Sequence, residues 1–87
     1  MKFIYKPEYV QYKTVHYFDL TLIVPATANF ISVDEEGRLY LWLYEPVLRK
    51  FADGADAWYD WSGEVVDFYA GTVDLEGMDW KDTLQAC

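Results

Sequence analysis

Residues 29–44 read Asn29-Phe30-Ile31-Ser32-Val33-Asp34-Glu35-Glu36-Gly37-Arg38-Leu39-Tyr40-Leu41-Trp42-Leu43-Tyr44. Two runs of strand-forming residues flank three carboxylates and a glycine, the pattern of a β-hairpin in which Gly37 supplies a positive φ. In the second run Leu39, Leu41 and Leu43 alternate with Tyr40, Trp42 and Tyr44. Successive side chains of a strand point to opposite faces, so both faces are apolar. Such a strand is central and covered on both sides, or presents an aromatic face to a partner. Glu45-Pro46 closes it.

Upstream, residues 14–24 are rich in β-branched and aromatic types and stop at Pro25. They read as one strand, with Phe18, Leu20, Leu22 and Val24 on one face and Asp19 and Thr21 on the other. Downstream, residues 47–69 read two ways. Asp53, Asp56, Asp60, Glu64 and Asp67 fall within an arc of about 80° on a helical wheel, opposite Trp58, Trp61, Val65 and Phe68. Against a helix, Gly54 and Gly63 each cost about 1 kcal/mol inside one, and the aromatic and β-branched residues of the stretch favour strands. The favoured reading is a loop or short helix to about residue 57, a turn at Ser62-Gly63 and a strand over 65–73. Near the end, Asp79 is a good N-cap for a short helix over 79–84 that carries Trp80 and Leu84 inward. The expected architecture is therefore α+β, an antiparallel sheet of four to five strands with a short C-terminal helix packed on it.

Eighty-seven residues predict one domain, spanning 1–87. A chain that is 53% hydrophobic and 20% aromatic is not disordered despite its charge. It also holds more aromatic rings than a small core encloses, so some are expected at the surface, where Tyr and Trp anchor interfaces. Residues 1–33 carry Lys2, Lys6 and Lys13 against Glu8 and Asp19, and residues 34–50 are nearly balanced. Residues 51–87 set Asp53, Asp56, Asp60, Glu64, Asp67, Asp74, Glu76, Asp79 and Asp82 against Lys81 alone, a local net of −8. Such a field repels nucleic acid and anionic membranes and attracts basic surfaces.

The residues offer little for catalysis. His16 is the only histidine and lies in a strand. Cys87, last in the sequence, is expected to be mobile and a poor place for a nucleophile. Without Cys or His pairs there is no ordinary structural zinc site. Asp74, Glu76 and Asp79 read as carboxylates capping turns rather than as calcium ligands, and no phosphate-binding loop occurs. No cofactor is expected. Absence of a disulfide framework, of a signal-peptide stretch and of any long apolar run predicts a cytoplasmic protein.

Val24-Pro25, Ser32-Val33-Asp34-Glu35-Glu36-Gly37-Arg38-Leu39-Tyr40, Glu45-Pro46 and the closing stretch from Gly71 to Leu84 together resemble small accessory proteins encoded by tailed bacteriophages. The resemblance is most specific over Asp74–Leu84. It implies a phage-encoded protein acting in the host bacterial cytoplasm, and it transfers no activity and no catalytic residue.

The function expected is that of a non-enzymatic, acidic binding protein that inhibits a host nucleic-acid-handling or anti-phage defence protein by occupying its basic surface, as a DNA mimic does. Asp53, Asp56, Trp58, Tyr59, Asp60, Trp61, Glu64 and Asp67 are the candidate partner-binding residues. Carboxylates steer the encounter, and aromatic rings supply desolvated anchors. One alternative is a structural or assembly protein that oligomerises through the aromatic face of Arg38–Tyr44, its charge only solubilising. A third reading, a sponge for a nucleotide signal, would need a cationic pocket built from Arg38, Arg49, Lys50 and the N-terminal lysines.

Overall fold

Strand pairing from opposite ends of the chain builds the central layer. The computed structural model describes residues 1–5, 11–52, 54–59 and 68–87. Its strands are β1 (Lys2–Tyr5), β2 (Tyr12–Tyr17), β3 (Leu20–Pro25), β4 (Phe30–Val33), β5 (Arg38–Trp42), β6 (Val47–Lys50), β7 (Asp56–Tyr59), β8 (Phe68–Asp74) and β9 (Gln85–Ala86). Five of them form an antiparallel sheet in the order β1-β8-β5-β4-β9, while β2-β3 and β6-β7 are separate two-stranded hairpins.

The quoted stretch forms the expected hairpin, with Phe30 opposite Trp42 and Val33 opposite Leu39. At its tip the amide of Gly37 donates to the Asp34 carbonyl at 3.0 Å, and Asp34 Oδ1 accepts the amides of Glu36 and Arg38 at 2.9 Å each. Gly37 takes φ +85°, and a Cβ there would lie 2.4 Å from the Val73 carbonyl oxygen. Only glycine suits that position. Strand β5 is indeed the middle of the sheet. Its Leu39 and Leu41 join Ile31, Val33, Ala70 and Val73 in a core closed from the other side by Tyr17, Leu22 and Val24 of the β2-β3 hairpin.

Two bulges tune the register. Between β5 and β8, Arg38 opposes Thr72 and Tyr40 opposes Tyr69. The extra residue on β8 lets both Ala70 and Val73 reach the core. Between β1 and β8, the shift leaves Ile4 over, and this edge-strand residue is exposed.

Three expectations are corrected. First, the α+β assignment fails, because the described residues are mostly strand and include no α-helix. Where the C-terminal helix was expected there is a single 3-10 turn, Trp80–Asp82, and the chain then enters β9. Asp79 does cap the turn, its Oδ1 accepting the Lys81 amide at 3.0 Å. The helix stops because Thr83 is diverted. Its Oγ1 accepts the Val33 amide at 2.9 Å and donates to the Trp80 carbonyl at 2.6 Å. Beyond Ile31, β4 has no strand beside it on that edge among the described residues, and the Thr83 hydroxyl takes the place of a ladder partner.

Second, residues 14–24 are not one strand. The chain reverses at Phe18-Asp19, pairing Tyr17 with Leu20 and Tyr12 with Pro25. Leu20, Leu22 and Val24 share a face as expected, whereas Phe18 sits in the turn at φ +53°. Third, Val47–Lys50 and Asp56–Tyr59 pair as the β6-β7 hairpin rather than forming a loop or helix, which overturns an acidic helical stripe through Asp56. The hairpin's loop repeats the hydrogen bonds of the Asp34–Arg38 loop, with Phe51 N–H to Ala55 O at 2.8 Å and Gly54 N–H to Phe51 O at 2.9 Å. The expected turn at Ser62-Gly63 lies outside the described residues. Among the described residues no helix is long and apolar enough to cross a membrane.

Candidate functional site

Strand β7 runs past the tip of the β4-β5 hairpin, and a groove lies between them. At one end a hollow of about 210 Å³ is lined, among the described residues, by Asp34, Tyr40, Trp42, Ala57 and Trp58. It continues into one of about 160 Å³ bordered by Glu35, Glu36, Arg38 and Asp56. Beyond that, a hollow of about 210 Å³ reaches Gly54, Trp80 and Lys81. One end of the groove is aromatic, the middle is mostly carboxylate, and the far end mixes Glu35 and Asp56 with Trp80 and Lys81.

Both tryptophans of the aromatic end are held by their indole N–H groups. Trp42 Nε1 donates to Ser32 Oγ at 2.9 Å, and Trp58 Nε1 donates to the Val33 carbonyl at 2.9 Å. Consecutive residues of β4 thus fix two rings from different hairpins. Buried indole N–H groups need such partners, and these two bonds fix the orientation of both rings. Tyr40 lies 6.5 Å from Trp42, its ring tilted by 60°, and Trp58 meets Trp80 edge-on at 6.3 Å.

The acidic end is partly neutralised by its own cations. Arg38 Nε pairs with Asp34 Oδ2 at 2.9 Å and its Nη2 with Glu36 Oε2 at 3.0 Å. The Asp34 carboxylate, more than any other group, holds the guanidinium above its ordinary value. Lys81 Nζ lies 3.5 Å from Asp56 Oδ2 and 5.8 Å from the centre of the Trp80 ring. Glu35 is exposed and lines two of the three hollows.

Of the candidate residues, the structure brings Asp56 and Trp58 into this groove. Tyr59 lies instead beneath the Arg49 guanidinium, 4.8 Å from its ring centre. Asp53, Asp60, Trp61, Glu64 and Asp67 lie outside the described residues. Asp34, Glu35, Glu36, Tyr40, Trp42, Trp80 and Lys81 lie outside the Asp53–Asp67 candidate set, and other parts of the chain bring them alongside β7. Alternation along residues 38–44 did mark Tyr40 and Trp42 as one face. On that face Trp42 is only 5% exposed, whereas Tyr40 is half-buried and Tyr44 exposed.

Several acids of the last third do structural jobs. Asp74 Oδ1 accepts the Glu76 amide at 2.9 Å, and Glu76 lies 3.6 Å from the Met1 ammonium group. The shared pattern Asp-x-Glu-Gly in Asp34–Gly37 and Asp74–Gly77 marks two turns that use the aspartate in the same way. Cys87 also departs from expectation. It is docked, with its amide 2.8 Å from the Asn29 carbonyl and Sγ 3.4 Å from the Ala28 carbonyl. Burial raises its thiol pKa, against the opposing pull of Lys13, and so disfavours the thiolate a nucleophile needs. His16 is an exposed strand residue whose carbonyl accepts from Gln85 Nε2 at 2.8 Å.

No family model, curated protein or solved structure matches the chain.

Proposed function

We propose that this chain is a binding protein that takes a basic segment of a partner protein into the groove between β7 and the Asp34–Gly37 turn. The observation that carries the reading is the groove's composition, with Trp58 and Trp42 pre-positioned at one end and Glu35, Glu36 and Asp56 beyond them. Carboxylates of the chain's net −8 speed the encounter, and the aromatic end supplies apolar contact that holds. Proteins that handle nucleic acid carry basic surfaces of this kind. The likeness of Val24–Leu84 to phage accessory proteins makes such a host protein the partner of choice, with inhibition following from occupation of its nucleic-acid path.

Competition tests this. An immobilised copy of the chain should retain basic nucleic-acid-handling proteins from bacterial lysate, and duplex DNA should elute them in a salt-dependent manner. Retention that DNA does not relieve, or that survives reversal of Glu35 and Asp56 to lysine, would overturn the reading.

One observation favours a second reading, self-association. Tyr5 and Tyr69 stack at 6.1 Å with planes 14° apart, and both are exposed on the outer face of the sheet. A molar mass that rises with concentration, and that returns to monomer on Tyr5→Ser, would support assembly instead.

A further inference from the structure

We infer that the aromatic end of the groove is a receptor for an arginine side chain of the partner, which deepens and rests on the reading just given. Its described lining is Asp34, Tyr40, Trp42, Ala57 and Trp58; Trp42, 5% exposed, forms the floor, and the half-buried Tyr40 and Trp58 present the rings. A guanidinium over an indole face is attracted by the ring quadrupole. It is also planar and weakly hydrated, so it stacks at less cost than the compact, strongly hydrated ammonium of lysine.

Three features favour this occupant. The rings are pre-positioned, because Trp42 and Trp58 are tied by their N–H groups to Ser32 and Val33, so binding freezes little that is not already fixed. Acceptors for the guanidinium stand next to the rings, since exposed Glu35 borders the adjoining hollow, together with Glu36 and Asp56, whose ion pairs with Arg38 and Lys81 a second cation can share. Finally, the same wall already accommodates a guanidinium, that of Arg38, held between Asp34 and Glu36.

Calorimetry on the whole chain separates this inference from the reading beneath it. The probes are a short peptide alternating glycine with arginine and its lysine counterpart of equal length and charge. Electrostatic steering treats the two alike, whereas a stacking site should favour the arginine peptide about tenfold. In a Tyr40→Leu variant shown by circular dichroism to be folded, that preference should fall towards one while the lysine peptide keeps its affinity. A Trp58→Leu variant serves the same purpose if Tyr40→Leu does not fold. Equal binding of both peptides by the native chain would overturn the arginine receptor and leave the basic-segment reading standing. Binding of neither would overturn both.

Discussion

The hydroxyl of Tyr17 donates to the carbonyl oxygen of Thr83 at 2.5 Å, joining residues 66 apart in the chain. Tyr17 is wholly buried at the end of β2, and desolvation of the phenolate pushes its pKa well above the ordinary 10.0. A folded-state pKa above the unfolded one means that the stabilisation is complete below pH 10.0. It is lost as pH rises beyond that, because the unfolded chain then holds fewer protons. Absorbance at 295 nm should therefore show one tyrosine that ionises only as the fold is lost. Tyr17→Phe should remove that step and cost about 1–3 kcal/mol by leaving the Thr83 carbonyl without its donor.

Thr83 is the second half of the same junction. Replacing it by valine keeps the shape but strands the Val33 amide, which now bonds to Oγ1 at 2.9 Å. Such an orphaned buried donor costs about 1–3 kcal/mol. Hydrogen exchange at the Val33 amide should accelerate by more than the global loss of stability predicts. Thr83→Ser, which keeps the hydroxyl, should cost only about one methyl group's worth, near 0.8 kcal/mol.

Gly37 and Gly54 share almost the same backbone angle, +85° and +86°, in loops with the same hydrogen bonds, yet they should respond differently to alanine. At Gly54 an added Cβ meets nothing within 4 Å, so the cost should be the left-handed penalty alone, about 1–2 kcal/mol. At Gly37 the Cβ would strike the Val73 carbonyl, whose residue also donates its amide to the Gly37 carbonyl at 2.8 Å. Gly37→Ala should lose clearly more in urea denaturation. Equal losses would show that the β5-β8 contact yields freely.

With a basic partner in hand, kinetics should separate the two ends of the groove. Glu35→Lys with Asp56→Lys should mainly slow association, and more so at low salt, since exposed charges are screened within about 8 Å at physiological ionic strength. Trp58→Phe should mainly speed dissociation, because it removes the indole held by Val33 while keeping a ring in the wall. Melting curves for each variant check that the fold survives.

Local chemistry made part of this molecule legible. The acidic turn ending in Gly37, the alternation of leucine with aromatic residues after it and the cap at Asp79 all appear as their side chains suggested. What failed were readings in which tertiary context overrode a local pattern. Phe18-Asp19 reverses the chain without glycine, proline or asparagine, and the lone aspartate between two runs of strand formers is too weak a turn signal to stand out. Carboxylates spaced by three and four mimicked a helix face, although Asp56 belongs to a strand. At Thr83 an unmet edge of β4 captured the residue that would have continued the helix. The groove was half legible. Asp56 and Trp58 stood out as an acid-aromatic mixture, but Tyr40, Trp42 and the Asp34 turn join them only through the way β7 crosses the hairpin tip, which no local pattern encodes.

The long-range hydrogen bonds of Thr83, Gln85 and Cys87 all go to residues between Lys13 and Val33. Such wide closures lose chain entropy before any contact repays it, which places this topology among the slower folders, in milliseconds to seconds. Until they form, the edge of β4 stands open with Ile31 and Val33 beside it, a template for pairing with another chain. The time spent in that half-finished state, more than the strength of the finished one, should set how much of the protein is lost to aggregation when it is made quickly and in quantity.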